Sequence, residues 1–374
     1  MHKGALMKVL SIIDSFKGTI SSTELGSIMS DALNSKGIMA DYLPISDGGD
    51  GFLDTIESII DCKRIYHKVQ NPLGKIIDAY YLIGNDQTVY IEMAISSGLH
   101  LLNKDELNPY LAHTYGLGEL IDHALNTHPK QIIVGLGGSA TNDGGIGMLE
   151  ALGCKFFDQN NVLMSGLNGS NLDQINYMET KSFGEKIHGI HFKILSDVTN
   201  PLLNREGASY VFSKQKGASE KDYEILDNKM KHYANIIQNH IGKTFDANPG
   251  AGAAGGVGFA FYSMFKASIK SGIHYVLDLM NFNQLINQYD YLITGEGKID
   301  SQSLKGKVIF EVSQRAQSKH IILVCAINEV DDTILKEKNI KAIYAVVNKD
   351  VSLQDSLNDP KRYFKRLCDQ IVFE

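Results

Sequence analysis

The chain lacks most features that mark membrane, secreted and zinc-binding proteins. Its four cysteines are far apart and form no Cys-x-x-Cys pair, which argues against a disulfide framework and against a structural zinc site. The longest apolar runs, such as residues 321–327, are much too short to span a bilayer. The first six residues contain no apolar segment typical of a signal peptide. We therefore expect a cytoplasmic protein.

The chain also lacks an excess of basic residues, since its formal net charge is −7. This balance argues against a nucleic-acid partner, which needs cations for its phosphates, but a pocket for a small anion remains compatible with it. Proline is scarce, with 7 residues, whereas the 35 glycines cluster where apolar strands end. That distribution is typical of an active site built from loops.

The order of predicted elements indicates an α/β fold. Strand 8–13, a helix with a Ser21/Glu24 capping box and strand 40–45 follow one another, which predicts a parallel sheet with right-handed crossovers. Strands 79–83 and 89–93 are predicted to form an antiparallel hairpin. Further predicted strands cover 131–136, 191–195, 291–294, 321–326 and 343–347, with a loop at Gly295-Glu296-Gly297. Helices are predicted near 117–125, 219–241 and 308–316, and another follows residue 256 and extends to about residue 267.

A length of 374 residues fits two domains. We expect two α/β domains with largely parallel sheets: a discontinuous Rossmann-like domain of residues 1–75 and 285–374, and a domain of residues 76–284 inserted in it. The active site is expected in the cleft between them. A division into two sequential domains near residue 75 or 280 stays open.

Two general nucleotide-binding motifs match poorly. Gly242-Lys243-Thr244 resembles the end of a P-loop, but Ile237 occupies the earlier glycine position and a polar helix precedes it. Gly250-x-Gly252-x-x-Gly255 has the spacing of the dinucleotide fingerprint, but Asn248-Pro249 stands where a strand is required. Neither match alone supports a functional assignment.

Two glycine-rich loops could bind an anion. Residues 137–145 and 250–256 each precede a predicted helix, so that free backbone N–H groups could face a phosphate or carboxylate. Ser139, Thr141 and Asn142 add side-chain donors to the first loop. The alternative is that the glycines only permit tight turns and close packing, and the sequence leaves both interpretations open.

Several carboxylates follow predicted strands, where ligands of open α/β sheets bind. Phosphoryl transfer needs carboxylates for Mg²⁺ and one for the accepting hydroxyl, whereas single examples more often cap helices or form turns. The set comprises Asp14, Asp47, Asp50, Asp143, Asp197, Glu296 and Asp300. The twelve histidines show no pattern of metal ligands.

Taken together, the loops resemble the bacterial type I glycerate kinase family. The resemblance rests on segments that occur in the family's order and span nearly the whole chain: Asp14-Ser-Phe-Lys-Gly18, Asp47-Gly-Gly-Asp-Gly51, Pro72-Leu-Gly74, Gly137-Gly-Ser-Ala-Thr-Asn-Asp-Gly-Gly145, Asp197-Val-Thr-Asn-Pro-Leu202, Gln215-Lys-Gly-Ala218, Gly250-Ala-Gly-Ala-Ala-Gly-Gly256 and Thr294-Gly-Glu-Gly-Lys-Ile-Asp300. The sequence differs from the family's usual residues at Phe52, at Phe212-Ser213-Lys214 and at Cys325-Ala-Ile-Asn328. These differences concern the nucleotide pocket and the substrate preference, and not the resemblance to the family.

The resemblance implies ATP- and Mg²⁺-dependent phosphorylation of D-glycerate, with 2-phosphoglycerate favoured over 3-phosphoglycerate as product. Chemical inference gives roles to the positions that match the family's motifs. The catalytic candidates are Asp197, then Asp47, and Lys17. The substrate-binding candidates are Ser15, Lys17, Asp50, Gly137, Gly138, Ser139, Asn142 and Gly252. The nucleotide-binding candidates are Gln215, Lys216, Gly295, Glu296, Asp300 and Lys307, of which Glu296 and Asp300 are also the Mg²⁺ candidates.

Three alternatives stay open at the level of sequence. The same fold could phosphorylate another small hydroxy acid or polyol, because motifs for ATP do not fix the acceptor. A nicotinamide-dependent oxidoreductase could use residues 250–255, and an inactive ligand sensor could keep the fold. A homodimer is also open.

Overall fold

The computed structural model of the protein describes residues 7–300, 308–330 and 339–373. Its strands are β1 (Lys8–Ile13), β2 (Met39–Tyr42), β3 (Cys62–Gln70), β4 (Ile76–Gly84), β5 (Thr88–Glu92), β6 (Gln131–Gly135), β7 (Lys155–Phe157), β8 (Leu163–Met164), β9 (Tyr177–Glu179), β10 (His191–Leu195), β11 (Ser268–Lys270), β12 (Tyr291–Ile299), β13 (His320–Asn328) and β14 (Ile340–Ala345).

The α-helices alternate with these strands over much of the chain. They are α1 (Ser22–Ser35), α2 (Phe52–Ile59), α3 (Ala94–Ser97), α4 (Tyr115–Leu125), α5 (Ile146–Ala151), α6 (Lys181–Ile187), α7 (Ala208–Phe212), α8 (Glu220–Ile241), α9 (Ala253–Met264), α10 (Gly272–Leu279), α11 (Phe282–Leu285), α12 (Val308–Arg315), α13 (Leu353–Asn358) and α14 (Pro360–Gln370). None of the helices in these described ranges has both the length and the apolar character needed to cross a membrane.

The residues divide into two compact units. The first contains residues up to Asp47, Asp54–Ile59 and residues from Ile273 onward, and the second contains Gly48–Leu53 and Ile60–Gly272. The predicted domain boundaries near residues 75 and 285 stay a prediction.

The first unit is built on a fully parallel sheet of order β14-β13-β12-β1-β2. β1 is an apolar segment buried from its second residue onward, as expected for the interior of a parallel sheet. The predicted capping box is present, because Ser21 accepts from the Glu24 amide while the Glu24 carboxylate accepts from the Ser21 amide. These features confirm the predicted parallel α/β arrangement at the start of the chain.

The second unit is built on a six-stranded sheet of order β11-β10-β6-β5-β4-β3. β11, β10, β6 and β5 are parallel neighbours, whereas β4 pairs antiparallel with both β5 and β3. The predicted hairpin of β4 and β5 is therefore confirmed, but β3 was not predicted. A small antiparallel sheet of order β8-β7-β9 was not predicted either.

The predicted loop at Gly295-Glu296-Gly297 is wrong. β12 continues through these residues to Ile299 and stays paired with β13 as far as Asn328. Gly295 permits this because a Cβ at that position would lie 1.8 Å from the main-chain oxygen of Val324. Glu296 is consequently a residue inside a strand, and not one that follows it.

Candidate active site

In the first unit, the end of β1 places Asp14 within electrostatic range of two other carboxylates. Asp14 follows β1, its amide donates to the Gly295 carbonyl at 2.8 Å, and its side chain is only 6% exposed. Burial raises the pKa of Asp14 to about 7, and repulsion from Asp47 and, more weakly, from Glu296 acts in the same direction. Lys17 and the Ser15 N–H lower it. The site therefore concentrates negative charge at this sheet edge.

Lys17 lies beside this carboxylate group. Its Nζ is 3.3 Å from Asp47 Oδ2, and 68% of its side chain is exposed. An ion pair this exposed contributes little to stability. Because Lys17 is not held in the interior, its ammonium could reach a bound anion, and the anion contact stays a prediction. Ser15, the neighbouring candidate, donates its amide to Asp14 Oδ1.

The spacing along β12 does not favour Glu296 and Asp300 as ligands of one ion. Glu296 lies in β12 and Asp300 directly follows its last residue. Four residues along a strand span about 13 Å, which is more than the two side chains can bridge around one Mg²⁺. Among residues 7–300, 308–330 and 339–373, no group of three or more His, Cys, Asp or Glu side chains could hold a metal ion.

The donor chemistry nevertheless fits magnesium with fewer protein ligands. Mg²⁺ is commonly held by one or two carboxylates, with substrate phosphates and water completing its shell. Asp47 and Glu296 each repel the charge of Asp14, and a cation bound beside Asp14 would relieve that repulsion. Asp14 with Glu296 is thus a better candidate pair than Glu296 with Asp300. Lys307 lies outside the described residues.

In the second unit, the loop that follows β6 packs against the segment 48–53. A Cβ at Gly137 would lie 2.2 Å from the Cα of Gly49, and one at Gly138 would lie 2.1 Å from Asp50 Oδ1. Two glycines are therefore required for this close approach. The structure places the predicted substrate residues Asp50, Gly137 and Gly138 together.

A buried carboxylate that the sequence did not single out holds the segment 48–53 in place. Glu92, the last residue of β5, is 6% exposed and accepts from the amides of Gly51 and Leu53 at 3.2 and 3.1 Å. A carboxylate at the end of an otherwise apolar buried strand is the signal that could have identified it. Its role is to position the loop that contains Asp50.

The two glycine-rich loops of the second unit contact each other. The amide of Gly144 donates to the Gly255 carbonyl at 3.0 Å, and a Cβ at Gly255 would lie 2.0 Å from the Thr141 carbonyl oxygen. Gly252 packs equally closely on Pro201, since a Cβ there would lie 2.2 Å from the Pro201 carbonyl oxygen. Close packing therefore accounts for these glycines of the second loop, whereas its contact with an anion stays a prediction.

Asp143 and Asp197 have different surroundings. Asp143 is completely buried and accepts from Thr114 N and Oγ1, both at 2.8 Å, and from the amides of Gly145 and Gly147. Burial raises its pKa, and the donors from Thr114 and Gly145 oppose that rise. Asp197 is exposed, and its Oδ1 accepts from the Gly272 amide at 3.0 Å. Asp143 therefore stabilises the surrounding loop through these hydrogen bonds, whereas Asp197 is accessible to a ligand.

The predicted donors of the first loop are mostly turned inward. Thr141 and Asn142 are fully buried, and the Asn142 amide donates to Ser209 Oγ at 3.2 Å. Ser139 is 6% exposed, and the backbone at Gly137 and Gly138 is half-buried. Gly137 and Gly138 are therefore the accessible residues of the loop, and Ser139, which follows them, keeps only slight exposure.

Lys216 and Gln215 were both predicted to contact the nucleotide. Gln215 is exposed, but Lys216 is 1% exposed and donates to Ser139 Oγ at 2.9 Å and to the Thr141 carbonyl at 2.6 Å. Lys216 thus holds the loop after β6. Nothing in the sequence distinguished this buried lysine from its exposed neighbours.

Comparison with known proteins identifies the family. A profile of the glycerate kinase family matches residues 9–373. The chain is 35% identical to the glycerate kinase of Bacillus subtilis (strain 168), over 98% of this chain and 97% of that protein. It is also 35% identical to the glycerate 2-kinase of Escherichia coli (strain K12), over 94% of this chain and 93% of that protein.

The chain belongs to the glycerate kinase family. It is accordingly a phosphotransferase with an alcohol group as acceptor. The crystal structure of a protein assigned as glycerate kinase 2 from Salmonella typhimurium LT2 has the same fold, with a TM-score of 0.79 and 31% identity over 98% of this chain and 97% of that one.

The two segments that resemble general nucleotide motifs lack the local structure that each motif requires. Gly242 caps the end of α8 in the left-handed conformation, so no phosphate loop precedes Lys243. The segment 250–256 follows turns and not a strand, which removes the structural context of a dinucleotide fingerprint. The oxidoreductase alternative therefore has no support in this glycerate kinase fold.

Proposed function

We propose that this enzyme transfers the γ-phosphoryl group of ATP to D-glycerate and forms 2-phosphoglycerate. The observation that carries the proposal is the similarity, over nearly the full length, to several glycerate kinases, one of them a glycerate 2-kinase. The proposal places the reaction in the cytoplasm. A homodimer stays a prediction.

The accessible part of the loop after β6 is suited to the carboxylate of the acceptor. The half-buried backbone of Gly137 and Gly138 lies at one sheet edge, next to Ser139, which is 6% exposed. Backbone N–H groups and hydroxyls in such turns bind anions without adding positive charge. Asp50, which lies against Gly138, is in reach of the hydroxyl groups of the same ligand, and Gly252, Asn142, Ser15 and Lys17 stay predicted contacts.

Asp197 is the candidate for the carboxylate that faces the reacting hydroxyl. It is exposed, and the Gly272 amide orients its side chain through Oδ1. An exposed and oriented carboxylate is suited to accept the proton of the glycerate 2-hydroxyl as that oxygen bonds to phosphorus. Asp47, paired with Lys17, is the second candidate for this role.

The nucleotide side of the proposal rests on the carboxylates at the end of β1. Asp14 and Glu296 would hold Mg²⁺, which would neutralise negative charge on the phosphate groups of the nucleotide. Gly295 keeps this region of β12 free of a side chain, which would collide with Val324. Gln215, Asp300 and Lys307 stay predicted contacts of the nucleotide.

A substrate panel tests the acceptor. Release of ADP is measured with Mg-ATP and D-glycerate, L-glycerate, lactate, tartronate and glycerol as acceptors. We expect D-glycerate to give the highest kcat/KM. Lactate and tartronate lack the vicinal diol, glycerol lacks the carboxylate, and L-glycerate presents the 2-hydroxyl in the opposite configuration. Turnover of another hydroxy acid or polyol without turnover of D-glycerate would overturn the proposal in favour of a kinase with a different acceptor.

A further inference from the structure

A buried lysine lies directly beneath the loop proposed to bind the substrate carboxylate. Lys216 ends a 3₁₀ turn, Lys214–Lys216, that follows α7, and its side chain is 1% exposed. An ammonium in the interior is unfavourable unless hydrogen bonds and nearby charge compensate it. An apolar side chain of the same length would fill the space without that cost, so what distinguishes Lys216 is the hydrogen bonds that it makes.

The direction of these hydrogen bonds indicates the role of Lys216. An ammonium can only donate, so Ser139 Oγ must accept the bond from Lys216 Nζ at 2.9 Å. The hydroxyl proton of Ser139 is then left to be donated to another group. Within the described part of the chain, the Ser139 side chain makes no hydrogen bond besides the one from Lys216. Lys216 also binds the Thr141 carbonyl at 2.6 Å, so one cation fixes both ends of residues 139–141.

We propose that Lys216 is a positioning residue whose charge turns the Ser139 hydroxyl outward as a donor to the carboxylate of the hydroxy-acid substrate. This inference rests on the proposed function, because it takes glycerate as the ligand of the loop. Lys216 does not touch the substrate, and it acts only through Ser139 and the loop.

The protonation state of Lys216 decides whether the donor is available. Burial lowers the pKa of Lys216 to about 7, and the nearby Asp143 carboxylate opposes that shift. Asp143 is the ionisable group that acts on Lys216, and His113 and Tyr233 lie within electrostatic range of Asp143 in turn. The oxygens of Asp143 already accept from Thr114, Gly145 and Gly147.

The protonation state of Lys216 determines in which direction the affinity for the substrate anion changes with pH. A neutral amine can accept a hydrogen bond from the Ser139 hydroxyl, which then turns inward and is lost to the ligand. A carboxylate bound on the loop favours the ammonium, so binding above neutral pH takes up a proton. Affinity for the anion is therefore highest below about pH 7 and falls as the pH rises above the pKa of Lys216.

Isothermal titration calorimetry with D-glycerate tests the linkage. We expect the Kd of the wild-type protein to be about tenfold higher at pH 8.5 than at pH 6.5, with uptake of a proton detected by comparing buffers of different ionisation enthalpy. The carboxylate of D-glycerate stays ionised over this range, so the ligand does not contribute. A Kd that is independent of pH, without proton uptake, would overturn the inference.

Two variants separate positioning from a purely structural role. Ser139→Ala removes the donor with little change in volume, so the Kd at pH 6.5 should rise about tenfold and its pH dependence should disappear. Lys216→Met should do the same, and the double variant should be no worse than either single one. Ser139→Ala keeps the test valid if Lys216→Met does not fold.

Lys229→Met is the matched control. Lys229 lies on α8 and also donates to a main-chain carbonyl and an acidic partner, Ser170 O and Asp173. It should keep the wild-type Kd and its pH dependence. The inference fails if Ser139→Ala keeps the wild-type pH dependence, or if the variants raise only the KM for ATP. Absence of any D-glycerate turnover would instead overturn the proposed function and, with it, this inference.

Discussion

At the scale of single residues, two aspartates in loops that follow strands of the six-stranded sheet differ in burial, and we infer different roles for them. Asp143 is buried and accepts from the main chain of Thr114, Gly145 and Gly147, whereas Asp197 is exposed and accepts from the Gly272 amide. A carboxylate that is buried with its oxygens occupied cannot also take a proton from a substrate. We therefore base the catalytic prediction on Asp197.

Replacing Asp197 by Asn should lower kcat by about 100-fold or more, because the amide cannot accept the hydroxyl proton. The asparagine oxygen can still accept from the Gly272 amide, so the fold should be unaffected. Steady-state kinetics with D-glycerate and Mg-ATP, together with a thermal melt, measure both effects.

Asp158→Asn is the control for this substitution. Asp158 Oδ1 also accepts backbone amides, from Asn160 and Val162, but it lies in the turn between β7 and β8. Its kcat should stay within about twofold of wild type, as for surface changes away from a site. Nearly normal turnover of Asp197→Asn would remove Asp197 from the catalytic role and leave Asp47 as the candidate.

Residue types and their place along the chain selected glycines and carboxylates as candidates for the site, but they did not predict the environments of these residues. Lys216 follows Gln215 in a polar segment, and only the folded chain shows that one is buried and the other exposed. Long-range contacts such as Lys216 with Ser139, 77 residues apart, leave no local signal. The orientation of a side chain in a loop depends on such contacts.

At the scale of elements, the start of α9 is shaped by its contact with the loop after β6. Ala254, Gly255 and Gly256 have positive φ values of 54°, 70° and 94°, so the helix becomes regular only after them. Gly255 also lies against Thr141, where a Cβ would be 2.0 Å from the carbonyl oxygen. Position 255 therefore requires glycine for two reasons: its φ is positive, and a side chain there would collide with Thr141.

Gly255→Ala should destabilise the protein by about 2 kcal/mol or more, because it combines left-handed backbone strain with a steric clash. The displaced Thr141 should also raise the KM for D-glycerate, since this residue belongs to the loop that Lys216 holds. Urea denaturation and steady-state kinetics measure the two effects.

Gly184→Ala is the matched control within a helix. Gly184 lies in α6, and a Cβ there would have no atom within 4 Å. This substitution should leave activity unchanged and stabilise the protein by about 0.5–1 kcal/mol, because alanine favours the helix. Equal stability of Gly255→Ala and Gly184→Ala would contradict the importance of close packing at Gly255.

Elements with a strong apolar periodicity were predictable from the sequence. The very short strands and the continuation of β12 beyond Gly295 were not. β1, α1 with its capping box and the hairpin of β4 and β5 follow from apolar spacing and turn residues. Each strand of the small sheet β8-β7-β9 has only two or three residues, too few for a pattern. β12 was predicted to end early because Gly295 and Gly297 suggested a loop, whereas pairing with β13 extends it.

At the scale of the whole molecule, an acidic protein is proposed to bind two anionic substrates. The net charge of −7 repels them at long range, so binding must depend on local groups. We propose the glycine-rich loop held by Lys216 for the carboxylate of the acceptor, and the carboxylates at the end of β1 for Mg²⁺. The α/β class followed from the order of elements, whereas the acceptor follows from similarity to the family.

The identity of the product tests the central claim most directly. The enzyme is incubated with D-glycerate and Mg-ATP, and the product is examined by proton-coupled ³¹P NMR. Phosphate on the 2-hydroxyl couples to one proton and gives a doublet, whereas phosphate on the 3-hydroxyl couples to two protons and gives a triplet. We predict the doublet of 2-phosphoglycerate. A triplet would contradict the proposed position, and the absence of any phosphoglycerate signal would contradict the proposed reaction.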